Sequence, residues 1–166
     1  PQAGPGEVLV DVAAAGMNFA DSLMTAGKYQ VKPNPPFVPG LELAGTVLAT
    51  GAGVAHVKAG DRVMAVVDHG AFATRAIAKG SDTFLLPDAL AFPEAAGFPI
   101  AYGTSYGALV WKARLQKGET LLVHGAAGGV GLTAVEIGKA LGARVIATAG
   151  GADKCAIAAK HGADET

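Results

Sequence analysis

Residues 119–131, Glu119-Thr120-Leu121-Leu122-Val123-His124-Gly125-Ala126-Ala127-Gly128-Gly129-Val130-Gly131, decide the fold of the second part of this 166-residue chain. An apolar strand runs up to a glycine turn, and the residues from Val130 to Leu141 then have helical character. Arg144 to Thr148 has the pattern of a second buried strand, and residues 152–161 that of a second helix. Strand, helix, strand and helix in this order predict the opening of a doubly wound parallel sheet.

The glycine turn lies between a strand and a helix, where a phosphate-binding turn belongs. Gly128 allows the backbone to approach a pyrophosphate, and Gly131 allows the helix to pack closely on the strand. The first N–H groups of the helix and the helix dipole attract phosphate. A tight turn without a ligand is the alternative, and Ala126 replaces the first glycine of the usual pattern. We expect a dinucleotide to be bound here by Ala127, Gly128, Gly129 and Val130.

The end of the second strand distinguishes between the two nicotinamide dinucleotides. Enzymes that use NAD usually place Asp or Glu there to bind the ribose diol, but Ala147-Thr148-Ala149-Gly150-Gly151 contains no carboxylate. Small residues leave room for a 2′-phosphate, Lys154 is placed to neutralise it, and Thr148 can add a hydroxyl contact. The sequence therefore favours NADPH as the cofactor. The alternative for Lys154 is a solvated lysine on the helix surface.

The first part of the chain has the pattern of short strands separated by Gly and Pro turns, which predicts an irregular β-barrel or sandwich. The Pro-rich residues 33–40 cannot be helical and predict a rigid loop. After about residue 92 the chain becomes Ala-rich, with helical stretches expected over 93–99 and 103–114. We therefore predict two domains, residues 1–92 and 93–166. The predicted strands of the first are 7–15, 41–50, 61–67, 70–78 and 83–86.

Composition and charge exclude several classes of protein. The net charge of −1 gives no reason to expect nucleic acid or an anionic membrane as a partner. The chain contains no apolar run of the roughly 20 residues that a membrane-spanning helix needs. A single cysteine, Cys155, excludes an intramolecular disulfide and a Cys-rich zinc site, so a cytoplasmic setting is expected. Two parallel strands cannot cover a dinucleotide, and we expect this sequence to be part of a chain about twice as long.

Several further motifs occur in a recognisable order and together span essentially the whole chain. They resemble the zinc-independent NADPH:quinone oxidoreductases, the zeta-crystallin-like family of the medium-chain dehydrogenase/reductase superfamily. The resemblance implies a GroES-like β-barrel catalytic domain followed by the first part of a doubly wound Rossmann domain. It also implies a homodimer or homotetramer at full length. Besides the glycine turn, the motifs are 14–21 (AAGMNFAD), 27–29 (GKY), 36–45 (PFVPGLELAG), 60–63 (GDRV) and 101–106 (AYGTSY).

The same resemblance indicates a metal-free active site. Zinc alcohol dehydrogenases of the superfamily place Cys, His and Cys at the catalytic metal, and the matching positions here are Asn18, Leu41 and approximately Ile100. An amide and two aliphatic groups cannot replace thiolate and imidazole as zinc ligands. The chain's histidines are also scattered without ligand spacing; they are His56, His69, His124 and His161.

Three residues are expected in the catalytic site because of the resemblance. Asn18 and Tyr29 would face the nicotinamide and the acceptor and donate hydrogen bonds to an oxygen, and Thr104, at a helix start, would contact the nicotinamide. Each has a structural alternative: a loop-capping amide for Asn18, an amphipathic residue that covers the barrel for Tyr29, and an N-cap for Thr104. Asp21 is expected to orient its loop or to cap a helix, and the role of Glu42 stays open.

Without a metal to stabilise an alkoxide, hydride delivery to an electron-poor acceptor is the easier reaction. The resemblance therefore implies an NADPH-dependent, metal-independent oxidoreductase that acts on a small-molecule quinone or enone acceptor. One alternative is an NADPH-dependent enoyl-thioester reductase with a similar site. The other, of a different class, is a non-catalytic NADPH-binding structural protein, as the lens crystallins of the family illustrate.

Overall fold

The computed structural model describes all residues from Pro1 to Thr166, which form two compact units, Pro1–Ile100 and Ala101–Thr166. The boundary between the units lies after Ile100, eight residues beyond the 92/93 boundary that the sequence predicts. The reason is that the helix Phe92–Ala96 packs on the sheet of the first unit. None of the helices is both long and apolar enough to span a membrane.

The first unit is built on a five-stranded antiparallel sheet. Its strand order is β4-β1-β2-β3-β5, so that the long strands β1 and β2 lie in the middle. Alternating apolar side chains of these strands, among them Val8, Val10 and Leu43, form a core that water does not reach. The strands are β1 (Glu7–Gly16), β2 (Glu42–Thr50), β3 (Arg62–Val66), β4 (Arg75–Lys79) and β5 (Thr83–Leu85).

One strand of the structure begins later than the sequence predicts. The sequence predicts a strand over 70–78, but β4 begins only at Arg75. The preceding residues are bound to the Pro-rich loop instead, since the N–H of Ala71 donates to the carbonyl of Gly40 and the N–H of Phe72 to that of Pro39. The segment therefore holds the loop in place rather than extending the sheet.

Two short helices complete the first unit, and a third begins in it. Helix α1 (Phe19–Thr25) follows β1, and helix α2 (Phe92–Ala96) has Pro at its start, where a missing N–H costs nothing. Ala95 and Ala96 of α2 are buried in a cluster with Ala44 and Leu86. Helix α3 (Phe98–Tyr106) follows directly.

The second unit contains the parallel strands that the sequence predicts. Strands β6 (Thr120–His124) and β7 (Arg144–Thr148) pair in parallel and are connected by helix α4 (Gly129–Ala140), and helix α5 (Ala152–Lys160) follows. A Cβ on Gly138 would lie 2.6 Å from Cδ2 of Leu121, so this glycine is what lets α4 lie against β6. The predicted helix over 103–114 is instead the end of α3 followed by a π-helical turn, Gly107–Lys112.

Candidate functional site

The glycine turn is a tight connection between β6 and α4. Gly125 has a φ of +64°, a left-handed conformation that favours glycine, and its carbonyl accepts the N–H of Gly128 at 3.0 Å. A Cβ on Gly131 would lie only 2.4 Å from that same carbonyl oxygen. The first turn of α4, Gly129 to Gly131, therefore rests against the turn, with N–H groups that have no partner within the helix.

A cavity of about 270 Å³ opens beside this turn. It brings together three predicted cofactor-binding residues, Ala127, Gly128 and Lys154, while Gly129 and Val130 begin the adjoining helix. Lys154 is exposed, and none of the salt bridges of the chain involves it. A free cation and helix-terminal N–H groups at one cavity suit an anionic ligand. The other lining residues are Gly125, Ala149 and Gly150.

Thr148 ends β7 next to the cavity, and its side chain is exposed. Its hydroxyl lies 2.9 Å from Nδ1 of His124, the last residue of β6. His124 was not expected to take part in this site. Its position after the last apolar residue of the strand, at the carboxyl edge of a parallel sheet, is the sequence signal that points to it.

Asn18 lies at the start of α1, in the first unit. Its backbone N–H donates to Oδ2 of Asp21 at 2.8 Å, and Oδ1 of Asp21 accepts the N–H of Gly40 at 3.2 Å. Asp21 is thus a buried carboxylate that caps α1 and holds the end of the Pro-rich loop. Its role agrees with the helix-capping and loop-orienting function expected from the sequence.

The side chain of Asn18 reaches β2. Its Nδ2 donates to Oε1 of Glu42 at 2.7 Å, and Oε2 of Glu42 accepts the backbone N–H of Ile100 at 2.8 Å. Glu42 is 2% exposed, and burial raises its pKa, although the N–H donors of Ile100 and Asn18 lower it. The residue whose role the sequence left open is therefore the centre of a buried hydrogen-bonded network.

Tyr29 and Thr104 are the two other predicted catalytic residues. Tyr29 is half-buried after the end of α1, where its N–H donates to the carbonyl of Leu23. Thr104 is exposed within α3, so the expectation that it lies at a helix start, and with it the N-cap alternative, is wrong. The physical reason is that Pro99 sets the start of the helix, since proline is suited to the first turn. Tyr29 and Thr104 lie in different units, and their roles stay predictions.

The positions matched to zinc ligands carry no metal-binding side chains. Asn18 is bound to Glu42, Leu41 is a buried aliphatic residue, and Ile100 contributes only its backbone N–H. No group of three His, Cys, Asp or Glu side chains is arranged to hold a metal ion. Each histidine instead has a protein partner: the Thr83 carbonyl for His56, the Phe37 ring for His69, Thr148 for His124 and Glu136 for His161.

A second network joins the helices of the second unit. The hydroxyl of Tyr102 on α3 donates to Oε2 of Glu136 on α4, and Oε1 of Glu136 lies 2.6 Å from Nδ1 of His161, which follows α5. The Glu136 hydrogen bond, ahead of burial, raises the pKa of Tyr102 to about 12. No spacing in the sequence indicated this contact, because its members are 34 and 25 residues apart along the chain.

Residues 4–116 match the alcohol dehydrogenase GroES-like domain. The chain belongs to this GroES-like family. The match covers the antiparallel sheet, Asn18 and the Glu42 network, and it confirms the GroES-like part of the fold predicted from the motifs. The similarity to solved quinone oxidoreductase structures over 99% of this chain confirms the Rossmann part.

The relatives of this chain include proteins named quinone oxidoreductase-like and a synaptic vesicle membrane protein homolog. Quinone oxidoreductase-like protein 2 of Rattus norvegicus is 44% identical over 161 residues, which are 96% of this chain and 46% of that protein. The synaptic vesicle membrane protein VAT-1 homolog of Homo sapiens is 43% identical over 137 residues, 82% of this chain and 35% of that protein. The chain thus spans about half the length of the first of these relatives, or less for the second.

Several solved structures agree closely with this chain. A probable oxidoreductase from Mycobacterium abscessus is 44% identical with a TM-score of 0.93, over 99% of this chain and 53% of that one. Escherichia coli quinone oxidoreductase in complex with NADPH is 38% identical with a TM-score of 0.90, over 99% and 51%. The enoyl reductase CurK is 29% identical with a TM-score of 0.90, over 99% and 52%.

Proposed function

We propose that the protein carrying this chain is an NADPH-dependent, metal-independent oxidoreductase that transfers a hydride to a quinone or a similar activated acceptor. The observation that carries the proposal is the cavity beside the glycine turn. Its wall contains the free cation Lys154, and the end of β7 contributes no carboxylate. A carboxylate there would repel a 2′-phosphate, whereas a lysine attracts it.

The residues of this chain fit NADPH. A Cβ built on Gly129 would meet nothing within 4 Å, so the N-terminus of α4 is open to a pyrophosphate. Thr148 and Lys154 lie where the 2′-phosphate of the adenosine ribose would be bound. When bound, NADPH supplies the hydride. The NADPH complex of the Escherichia coli relative supports this assignment.

The catalytic residues of this chain bind and orient rather than activate a metal. Asn18 and Tyr29 offer hydrogen bonds to an acceptor oxygen, and Thr104 offers its hydroxyl to the nicotinamide. A quinone or an activated C=C bond spreads incoming charge over its own conjugated system, so hydrogen bonds and positioning suffice. The proton that completes the reduction comes from solvent or from a tyrosine hydroxyl. The amide of Asn18 and the aliphatic side chains of Leu41 and Ile100 are not zinc ligands, which supports a reaction without zinc.

The proposal is tested by following NADPH oxidation in the full-length protein with 1,4-benzoquinone and with crotonyl-CoA. We expect turnover with the quinone, a lower KM for NADPH than for NADH, and no loss of activity with a chelator. Turnover that depends on added zinc would contradict the proposal. Prior binding of NADPH, measured by its fluorescence, separates a failure of binding from a failure of chemistry.

Enoyl reduction is the second candidate, because the CurK enoyl reductase has the same fold over 99% of this chain. Faster turnover with crotonyl-CoA than with the quinone would favour it. NADPH binding without turnover on either acceptor would instead indicate a structural role. A cytoplasmic location, a homodimer or homotetramer, and the absence of nucleic-acid and membrane partners are further predictions. The relative named as a synaptic vesicle membrane protein makes the location worth testing by fractionation.

A further inference from the structure

We propose that Glu42 is a positioning residue that fixes the orientation of the Asn18 amide. This inference rests on the proposed function, in which Asn18 contacts the cofactor or the acceptor. Glu42 is the largest charged side chain among the fully buried residues of the chain, and it lies at the start of β2. A buried carboxylate is costly unless its oxygens accept hydrogen bonds, so its retention requires an explanation.

The fold makes space for the carboxylate of Glu42 beside β1. Gly16 is paired with Glu42 in the register of β1 and β2. A Cβ on Gly16 would lie 2.4 Å from Oε1 of Glu42 and 2.4 Å from the carbonyl oxygen of Ala96. Any other residue at position 16 would therefore displace Glu42 from its contact with Asn18.

The hydrogen bonds of Glu42 have a fixed direction. Oε2 of Glu42 accepts from the backbone N–H of Ile100, which can only donate. Oε1 of an ionised Glu42 can likewise only accept, so the Asn18 group facing it at 2.7 Å must be the NH₂. The second N–H of the Asn18 amide then remains for a ligand. The carboxylate thus selects one of the two amide orientations.

The contact between Glu42 and Asn18 depends on the protonation of Glu42. Burial raises the pKa of Glu42, and the negative charge of Asp21 on α1 raises it further, while the Ile100 and Asn18 donors lower it. A protonated Glu42 carries an O–H, which is a donor like the Asn18 NH₂, so two donors would face each other in this contact. The orientation of the amide is therefore lost as the pH falls through the raised pKa of Glu42.

A readout that does not depend on activity is the ¹H–¹⁵N resonance of the Asn18 side-chain NH₂ in the full-length protein, assigned by its loss in N18D. In the wild-type protein we expect this resonance to shift as Glu42 titrates. In E42Q we expect it to move at neutral pH and to stop titrating. An Asn18 resonance that is the same in wild type and E42Q would overturn the proposal.

Kinetics supply the second readout. The glutamine amide introduced by E42Q has one acceptor oxygen for two donors, so we expect this variant to lower kcat about tenfold or more, with little change in the Kd for NADPH. The matched control is E7Q, because Glu7 also accepts a backbone N–H, that of Gly4 at 2.9 Å, but does not contact Asn18. If E7Q lowers kcat as much as E42Q, the proposal is wrong. An Asn18 amide that titrates in a protein without turnover would overturn the proposed function and support the positioning contact.

Discussion

Nδ1 of His124 lies 2.9 Å from Oγ1 of Thr148, so the residues that end β6 and β7 are joined across the carboxyl edge of the parallel sheet. The Thr148 hydroxyl has one hydrogen to donate. It can donate to a phosphate only when His124 donates its own Nδ1–H to Oγ1. The hydrogen bond from His124 therefore decides whether the Thr148 hydroxyl can donate to a ligand.

Replacing Thr148 by Val removes this hydroxyl and keeps the branched shape. Because one hydrogen bond contributes about 0.5–1.5 kcal/mol, we expect the Kd for NADPH to rise about three- to tenfold and the Kd for NADH to change little. Fluorescence titration with each dinucleotide measures this. Thr120→Val, at the opposite end of β6, is the matched control. An equal rise for both dinucleotides would place Thr148 away from the 2′-phosphate.

Reversing the charge of Lys154 tests the preference for NADPH. Lys154→Glu replaces a cation at the cavity by an anion, so we expect the KM for NADPH to rise about tenfold or more while that for NADH changes much less. Lys160→Glu, at the last residue of the same helix, makes the same charge change away from the cavity. The assignment fails if both variants have the same effect on both cofactors.

The tight contact in the turn predicts a loss of stability. The Cβ of Gly131→Ala would lie 2.4 Å from the carbonyl oxygen of Gly125, which is backbone and cannot move freely. We expect a destabilisation of about 1–3 kcal/mol, measured by urea unfolding. At Gly129 a Cβ meets nothing within 4 Å, so Gly129→Ala should be neutral or stabilising. A stable Gly131→Ala variant would show that α4 does not rest on the turn.

The network of Tyr102 and Glu136 predicts a dependence of stability on alkaline pH. The folded-state pKa of Tyr102 is raised from 10.0 to about 12, mainly by the hydrogen bond to Glu136. A raised pKa means that this contribution is complete below about pH 10 and is lost as the pH rises towards 12. Absorbance titration of the tyrosines should show a late step that disappears in Tyr102→Phe and persists in Tyr106→Phe. A late step that survives Tyr102→Phe would contradict the contact.

The local parts of the fold could be predicted from the sequence, because their signals lie within a few residues. The apolar run before His124, the glycines of the turn and the stop at Gly142 together indicate β6, the turn and α4. The predicted strand over 70–78 was too long because hydrogen bonds to the distant Pro-rich loop override local strand propensity. The helix start at Thr104 was wrong because Pro99 is the stronger start signal.

The sequence could predict that Asn18 belongs to the site, but not the hydrogen bonds that connect it to other residues. The resemblance directed attention to Asn18, yet its partner Glu42 is 24 residues away, and the second donor to Glu42, Ile100, is a further 58 residues along the chain. Only the charge of Glu42 within an apolar strand hinted at a special environment. The partner of a buried carboxylate is set by strand register, which a single sequence does not reveal.

The glycine turn and the wall of its cavity are constrained in different ways. Gly131 is fixed by backbone atoms of the turn itself, whereas Thr148 and Lys154 are exposed and lie outside the core of the second unit. If Thr148 and Lys154 bind the 2′-phosphate as we propose, a lineage can exchange one dinucleotide for the other by altering the end of β7 and the start of α5, with no need to rebuild the turn. Coenzyme preference is in this sense an evolvable trait of the fold, and the same two positions are where an engineer would begin.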